Sequence, residues 1–199
     1  MTHSHQPESI FLTEAEYLQS ELTSEVKREY IDGQVYAMRG VTRNHNIISG
    51  NIARKFGNHL KGTLCDTFMA DIKVKIGNNY FYPDVQVDCN KMPGDAYFLT
   101  APMIIVEVLS RSTRKTDTTV KLVSYLQLPS LQEYVLIEQA FVSVQVLRKS
   151  NHWLPSYYFL GDTITFESID LTLTVEEIYD RVDNCGMNEF RQHMLLPAK

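Results

Sequence analysis

Glu107 is the residue that most demands an explanation. It stands within Met103-Ile-Ile-Val-Glu-Val-Leu109, a run of strand length in which every other side chain is apolar. An ionised carboxylate in such surroundings is costly unless it is protonated, paired with Arg or Lys, or bound to a cation. A buried salt bridge, or a strand-end Glu reaching solvent, is the plain alternative to a functional site. Asp84 changes that balance. Along Tyr80-Phe-Tyr-Pro-Asp-Val-Gln-Val-Asp88, the two-residue period of a strand puts Asp84, Gln86 and Asp88 on one face and Val85 and Val87 on the other. Pro83 cannot donate to a ladder, so it marks a strand start, edge or bulge directly before Asp84; bulges often aim a side chain into a site. If the two strands pair, Asp84 and Glu107 can hold one hard cation, and oxygen ligands of this kind suit Mg²⁺ or Mn²⁺, not zinc. Asp88, about two pleats further on, reads as a strand-end charge. Glu29 is a third acidic candidate. Beside Arg28 it reads as easily as an exposed charge, and spacing alone does not bring it to the other two.

The strand carrying Glu107 runs into Ser110-Arg-Ser-Thr-Arg-Lys-Thr116. Arg111, Ser112, Arg114 and Lys115 are therefore placed beside the site, where hydroxyl and guanidinium groups could grip phosphates. A solvated surface loop is the competing reading. In the helix expected next, Asp117, Lys121 and Tyr125 are spaced by four and share a face, while Val120, Val123 and Leu126 are expected to lean toward the core. An Asp–Lys pair at this spacing ordinarily means modest helix support. On the functional reading, Lys121 reaches the carboxylates to orient a water or stabilise developing phosphate charge. His45 and His59 are fourteen residues apart and form no metal motif. Cap, core or surface roles are expected for both, with His45 able to abut the site from its helix start.

Positioning these residues requires strands and helices in a definite order. Residues 11–22 read as a short helix starting at Thr13-Glu-Ala-Glu, and 28–38 as a hairpin turning at Asp32-Gly33. A helix over 45–61 presents Ile48, Ile52, Phe56 and Leu60 on one face and stops at Gly62. Residues 65–76 and 80–88 alternate like two strands joined by Gly77-Asn-Asn79, and 103–109 reads as a central strand covered on both faces. A helix from about Asp117 to Leu128, a strand at 133–138, further β-structure over 141–149, 153–160 and 163–167, and a closing helix at Val175–Val182 complete the series. Helix, three strands, helix, strand and added β-structure imply an α/β (α+β) fold, a mixed sheet flanked by helices with additional C-terminal strands. Residues 1–199 suit one domain, with a core of about 11–180 and a C-terminal tail at 183–199.

Composition narrows the class. The chain is 44% hydrophobic and 22% charged, as an ordinary globular protein is. No apolar run approaches a membrane span, and the first residues lack the basic and apolar regions of a secretory signal. The three cysteines, Cys65, Cys89 and Cys185, have no zinc-site spacing, no disulfide framework is expected, and a reducing cytoplasm is the simplest compartment. A net charge of −5 argues against a non-specific nucleic-acid coat protein but not against an enzyme that meets phosphates through local charges.

Taken together, Tyr82-Pro-Asp-Val-Gln-Val, Ile105-Val-Glu-Val-Leu-Ser-Arg-Ser-Thr, the Asp117, Lys121 and Tyr125 spacing, and Glu133-Tyr-Val-Leu-Ile resemble the Uma-type restriction endonucleases of the PD-(D/E)XK nuclease superfamily. Glu29-Tyr-Ile-Asp-Gly-Gln-Val-Tyr-Ala-Met and His45-Asn-Ile-Ile extend the likeness, which covers roughly residues 11–180. The resemblance implies a restriction-endonuclease-like core with Asp84 and Glu107 as metal ligands. It also implies that the Val108 carbonyl completes the metal shell and that Glu29 is an upstream acidic residue. One departure stands out. The superfamily's lysine two residues after the glutamate is here Leu109, and Lys121 is the natural substitute. The expected function is metal-dependent hydrolysis of nucleic-acid phosphodiesters, DNA before RNA. Two alternatives are an inactive nuclease-fold module for nucleic-acid binding or oligomerisation, and a hydrolase of smaller phosphate esters with a closed pocket. Trp153, Tyr157, Tyr158 and Phe159 are candidates for a homodimer contact.

Overall fold

The computed structural model describes residues 11–195. The expectations made for the first residues and for the last four therefore lie outside the described residues. Thr13 caps α1 (Glu14–Glu21) by accepting from the Glu16 N–H while the Glu16 carboxylate accepts from the Thr13 N–H. β1 (Arg28–Ile31) and β2 (Gln34–Ala37) form the expected hairpin, with Asp32 and Gly33 both at positive φ as a type I′ turn requires. α2 (Arg43–His59) starts two residues before the expected position because its cap is Thr42, which accepts from the His45 N–H.

The two strands expected over 65–76 and 80–88 each divide: β3 (Asp66–Met69), β4 (Lys73–Ile76), β5 (Asn79–Phe81) and β6 (Val85–Asp88). β4 and β5 pair in one sheet, whereas β3 and β6 pair in another. Pro83 accounts for the second division, between β5 and β6. It has no N–H with which to carry the ladder through, so the chain can pass from one sheet to the next there. β7 (Phe98–Leu99) was not foreseen; β8 (Ile104–Leu109) was. α3 (Arg114–Thr116), a π-helical turn (Asp117–Lys121) and α4 (Leu122–Tyr125) then run on as one helical rod, beginning three residues earlier than expected. β9 (Glu133–Glu138), β10 (Val144–Arg148), β11 (Pro155–Tyr158), β12 (Thr163–Phe166), β13 (Leu171–Thr174), α5 (Val175–Ile178) and α6 (Cys185–Leu195) complete the chain.

Six strands in the order β11-β10-β9-β8-β6-β3 make one sheet, with β8 antiparallel to β6 and parallel to β9. Five in the order β2-β1-β5-β4-β7 make a second, and β12 with β13 forms a hairpin. The fold is mixed α/β, and α2, β3–β6–β8, the rod and β9 supply the expected helix, three strands, helix and strand. Alternation along the central strands separates two cores. Val85, Val87, Ile104, Val106 and Val108 pack on Ile48, Ile52 and Phe56 of α2. Ile105, Leu109, Tyr134 and Leu136 face Tyr125 and Leu128 and the five-stranded sheet through Val74, Ile76 and Phe81. Fully burying a side chain of this size contributes roughly 1.5–3 kcal/mol. Tyr17 of α1 covers the far side of the five-stranded sheet against Tyr30 and Tyr80.

Several expectations are corrected. Val120 and Val123 do not lean toward the core: they are 42% and 62% exposed, and the buried side of the rod is Asp117, Lys121, Ser124 and Tyr125, with Leu126 half-buried. The polar side is buried because it meets polar partners on the neighbouring sheets. Within the expected tail, Cys185–Leu195 form α6, whose Met187 enters the core. Of the four aromatic residues proposed for a dimer contact, Tyr157 and Phe159 are exposed, whereas Trp153 and Tyr158 pack partly against the two cores. Cys65 and Cys89 form a disulfide. They are 24 positions apart in sequence, but pairing Asp66 with Asp88 sets them opposite one another at the next step of the β3–β6 register.

Candidate active site

Strand register brings the first two carboxylates together. Val85 pairs with Val106 and Val87 with Ile104, so continuing the antiparallel register by one step places Asp84 opposite Glu107. One step further, Val108 stands opposite Pro83. The Val108 N–H points to that edge, donating to Asp84 Oδ2 at 2.7 Å. A strand residue's carbonyl points to the same edge as its N–H, and Pro83 has no N–H to offer it. The carbonyl of Val108 is therefore left without a ladder donor from β6, beside both carboxylates.

Lys121 fills the other side of Glu107. Its Nζ lies 2.9 Å from Glu29 Oε1, 3.1 Å from Glu107 Oε1 and 3.2 Å from Asp117 Oδ1. These three carboxylates come from β1, β8 and the start of the π-helical turn, so one ammonium joins both sheets to the rod. Glu29 is also held by the Tyr82 N–H at 3.1 Å, which shows how the sheet division at Pro83 serves the site. Tyr125 donates its hydroxyl to Glu107 Oε1 at 2.7 Å. Its ring is wedged edge-on between Phe81 and Tyr134. Asp117 Oδ1 is near Lys121 but outside hydrogen-bond geometry and has no hydrogen-bond partner among the described residues. A break in regular helical geometry at such a position is a frequent mark of a functional site.

The electrostatics follow from burial. Burial pushes the Glu107 carboxyl well above the usual range; Lys121 opposes this, while Asp117, Asp84 and Glu29 reinforce it. Burial also raises Asp117, against the pull of Lys121. For Lys121, burial works against the charge, but Glu107, Glu29 and Asp117 outweigh it and hold the ammonium well above its ordinary pKa. Four carboxylates thus share one ammonium and the His45 imidazole, whose Nε2 is 3.1 Å from Asp84 Oδ2. Carboxyl groups outnumber the basic groups that face them.

Asp84, Glu107, Glu29 and Lys121 are accordingly brought together, and the position two residues after Glu107 is a core leucine. The basic loop is divided. Arg114 is committed to Glu138 through both guanidinium nitrogens. Ser112 lies in a cluster of hydroxyls with Ser110 and Thr113, and Arg111 and Lys115 are exposed. Sequence reasoning gave His45 too little weight. Its signal was present in Thr42, a helix cap three residues before it that fixes His45 in the first turn. His59 instead meets the Ile169 carbonyl at 2.7 Å, away from these residues.

A mixed sheet flanked by helices, with opposed carboxylates on adjacent central strands, defines a restriction-endonuclease-like fold. The chain belongs to the Uma2 family, described as "Putative restriction endonuclease", whose model matches residues 14–176. It is 39% identical over 185 residues to the uncharacterized protein slr1290 of Synechocystis sp., covering 88% of this chain and 96% of that one. A second uncharacterized Synechocystis protein, sll1609, is 34% identical over 150 residues, covering 72% and 85%. Among solved structures, a crystal structure from Anabaena variabilis described as a putative nuclease belonging to DUF820 superposes with a TM-score of 0.72. It shares 20% identity and covers 84% of this chain and 97% of that one. Among the described residues, no helix is long and apolar enough to cross a membrane.

Proposed function

We propose that this protein is a metal-dependent endonuclease that hydrolyses nucleic-acid phosphodiester bonds, with DNA the preferred substrate over RNA. The observation that carries the reading is the register placing Asp84 opposite Glu107, with the Lys121 ammonium on the same glutamate. A hard divalent cation, Mg²⁺ or Mn²⁺, fits the donors available: Asp84, Glu107 and the Val108 carbonyl, all oxygen. The surplus of carboxylates around one ammonium points the same way. Among the described residues, no three acidic, His or Cys side chains close into a metal cage. When bound, such an ion would supply Lewis-acid stabilisation of charge on the scissile phosphate.

The protein's own groups account for the rest of the reading. Lys121 orients the attacking water and offsets developing negative charge, the part that Leu109 cannot play. Glu29 and Asp117 hold that ammonium in place. Arg111, Lys115 and the Ser112 hydroxyl bind flanking phosphates, with Arg114 bracing the loop through Glu138. A homodimer through the exposed Tyr157 and Phe159 belongs to the same proposal, and a cytoplasmic setting would require the Cys65–Cys89 bridge to persist against a reducing pool. Gel filtration giving a monomer at micromolar concentration would remove the dimer.

One observation favours a second reading, an inactive nuclease-fold module: Lys121 already meets three carboxylates. The deciding experiment incubates the protein with plasmid, single-stranded DNA and RNA in Mg²⁺, Mn²⁺ or EDTA, beside Glu107→Ala. Metal-dependent cleavage lost in the variant supports the enzyme. Cleavage surviving in Glu107→Ala refutes this site, and no cleavage of any substrate favours the module.

A further inference from the structure

Each of the two opposed carboxylates has one oxygen held by the protein and one without a donor. Asp84 Oδ2 accepts from the Val108 N–H at 2.7 Å and lies 3.1 Å from His45 Nε2. Glu107 Oε1 takes Tyr125 at 2.7 Å and Lys121 at 3.1 Å. Among the described residues, nothing donates to Asp84 Oδ1 or to Glu107 Oε2. A carboxylate free to rotate presents either oxygen, or both, to a cation. One whose first oxygen is pinned presents the second.

We propose that His45 is a positioning residue for Asp84: its Nε2, 3.1 Å from Oδ2, engages that oxygen and so turns Oδ1 toward the cation. The role rests on the metal-dependent reading above and names a residue that reading does not need. On this proposal Nε2 is the ring nitrogen that bears the proton, since a carboxylate has none to give. His45 is itself firmly placed. Its backbone N–H donates to the Thr42 cap at 3.2 Å, its carbonyl accepts from the Ser49 hydroxyl at 3.0 Å, and its side chain is 7% exposed. α2 packs through Ile48, Ile52 and Phe56 on the very sheet that carries Asp84, so the helix cannot shift without moving the core. Tyr125 is the counterpart on Glu107, wedged by aromatic rings as His45 is by its helix. Helix and rod thus approach the two carboxylates from opposite faces of the sheet and fix one oxygen on each.

The test is Mn²⁺ binding by calorimetry on the full chain, which reads the site without requiring turnover. Asp84→Ala defines loss of the site. His45→Leu and His45→Met fill the slot without a proton to donate, and His45→Gln keeps a donor; thermal melts report whether each folds. Losing an outer hydrogen bond to a metal ligand typically weakens metal binding about 10–100-fold. That weakening is expected in the Leu and Met variants, with most of it regained in His45→Gln. Tyr125→Phe, which removes only a hydroxyl, should weaken binding through Glu107 in the same sense. Wild-type affinity in folded His45→Leu or His45→Met, with binding lost in Asp84→Ala, overturns the positioning role and leaves the metal reading standing. Equal weakening in His45→Gln and His45→Leu also overturns it, because packing rather than the proton would then be responsible. Absence of Mn²⁺ binding in the wild-type protein overturns both.

Discussion

Two buried charge clusters lie in this molecule, and they are built differently. Around Arg148, every charge is answered. The guanidinium meets Glu133, the Tyr158 hydroxyl and the Thr165 carbonyl, while Glu133 also accepts from the Glu167 and Ser168 N–H groups and the Ser168 hydroxyl. Around Lys121, one ammonium answers three carboxylates, a fourth lies across the strand pair, and an Asp117 oxygen is left without a hydrogen bond. A completed network ties β9 and β10 to the C-terminal hairpin. An incomplete one costs stability, because buried polar groups without partners are unfavourable.

The sharpest way to break this comparison is at Glu107. Glu107→Ala is expected to lower cleavage by about 10²–10³-fold, the scale seen when one group stabilising a transition state is removed. A plasmid-nicking time course would show it, and unchanged cleavage would strip the cluster of its function. Next in size is the contrast between Lys121→Met and Arg148→Met. Each leaves buried carboxylates unpaired and should cost about 3–5 kcal/mol in denaturant unfolding. Excess Mn²⁺ should recover part of the loss only for Lys121→Met. Recovery in both variants, or in neither, would show that the two clusters do not differ in the way described.

A smaller effect sits at the surface. The Lys55 ammonium, followed by the Thr174 N–H, holds the Glu177 carboxyl below its usual range. A lowered pKa in the folded state contributes stability above the ordinary carboxylate pKa and loses it as pH falls through the lowered value. Glu177→Gln should therefore flatten the acid side of a melting-temperature profile below about pH 4, by less than about 1 kcal/mol because solvent screens the pair. The least effect is expected from Val123→Ser, within about 0.5 kcal/mol as for an ordinary exposed position. A loss of several kcal/mol there would restore the valine to the core and contradict the orientation of the rod.

That rod shows where sequence is legible and where it is not. Period-two alternation correctly assigned the faces of β6, and the buried run correctly located β8, because those patterns reflect contacts along a single strand. The spacing of Asp117, Lys121 and Tyr125 correctly grouped them on one face. Which face was buried could not be read, since ordinary hydrophobicity favours Val120 and Val123, and only the partner carboxylates on two other strands reverse that choice. Glu29 was a candidate through the resemblance, but spacing could not bring it to the site, because it arrives there through the pairing of β1 with β5, Tyr30 opposite Tyr80. Pro83 was read as a strand start, edge or bulge within 80–88, not as the point where the chain changes sheets. Such contacts are long-range and leave no local period.

The bridge between Cys65 and Cys89 has one more consequence. It closes a covalent ring that contains β3 to β6, and with them Asp84, while Glu107 and Lys121 lie outside it. Closing a ring of this length restrains the unfolded chain by about 3 kcal/mol on the chain-entropy account. One wall of the site is thus a staple whose presence depends on the thiol–disulfide balance around the protein, and the opposite wall is not. An excess of reductant would loosen the Asp84 side first, leaving the Lys121 side to hold its shape alone.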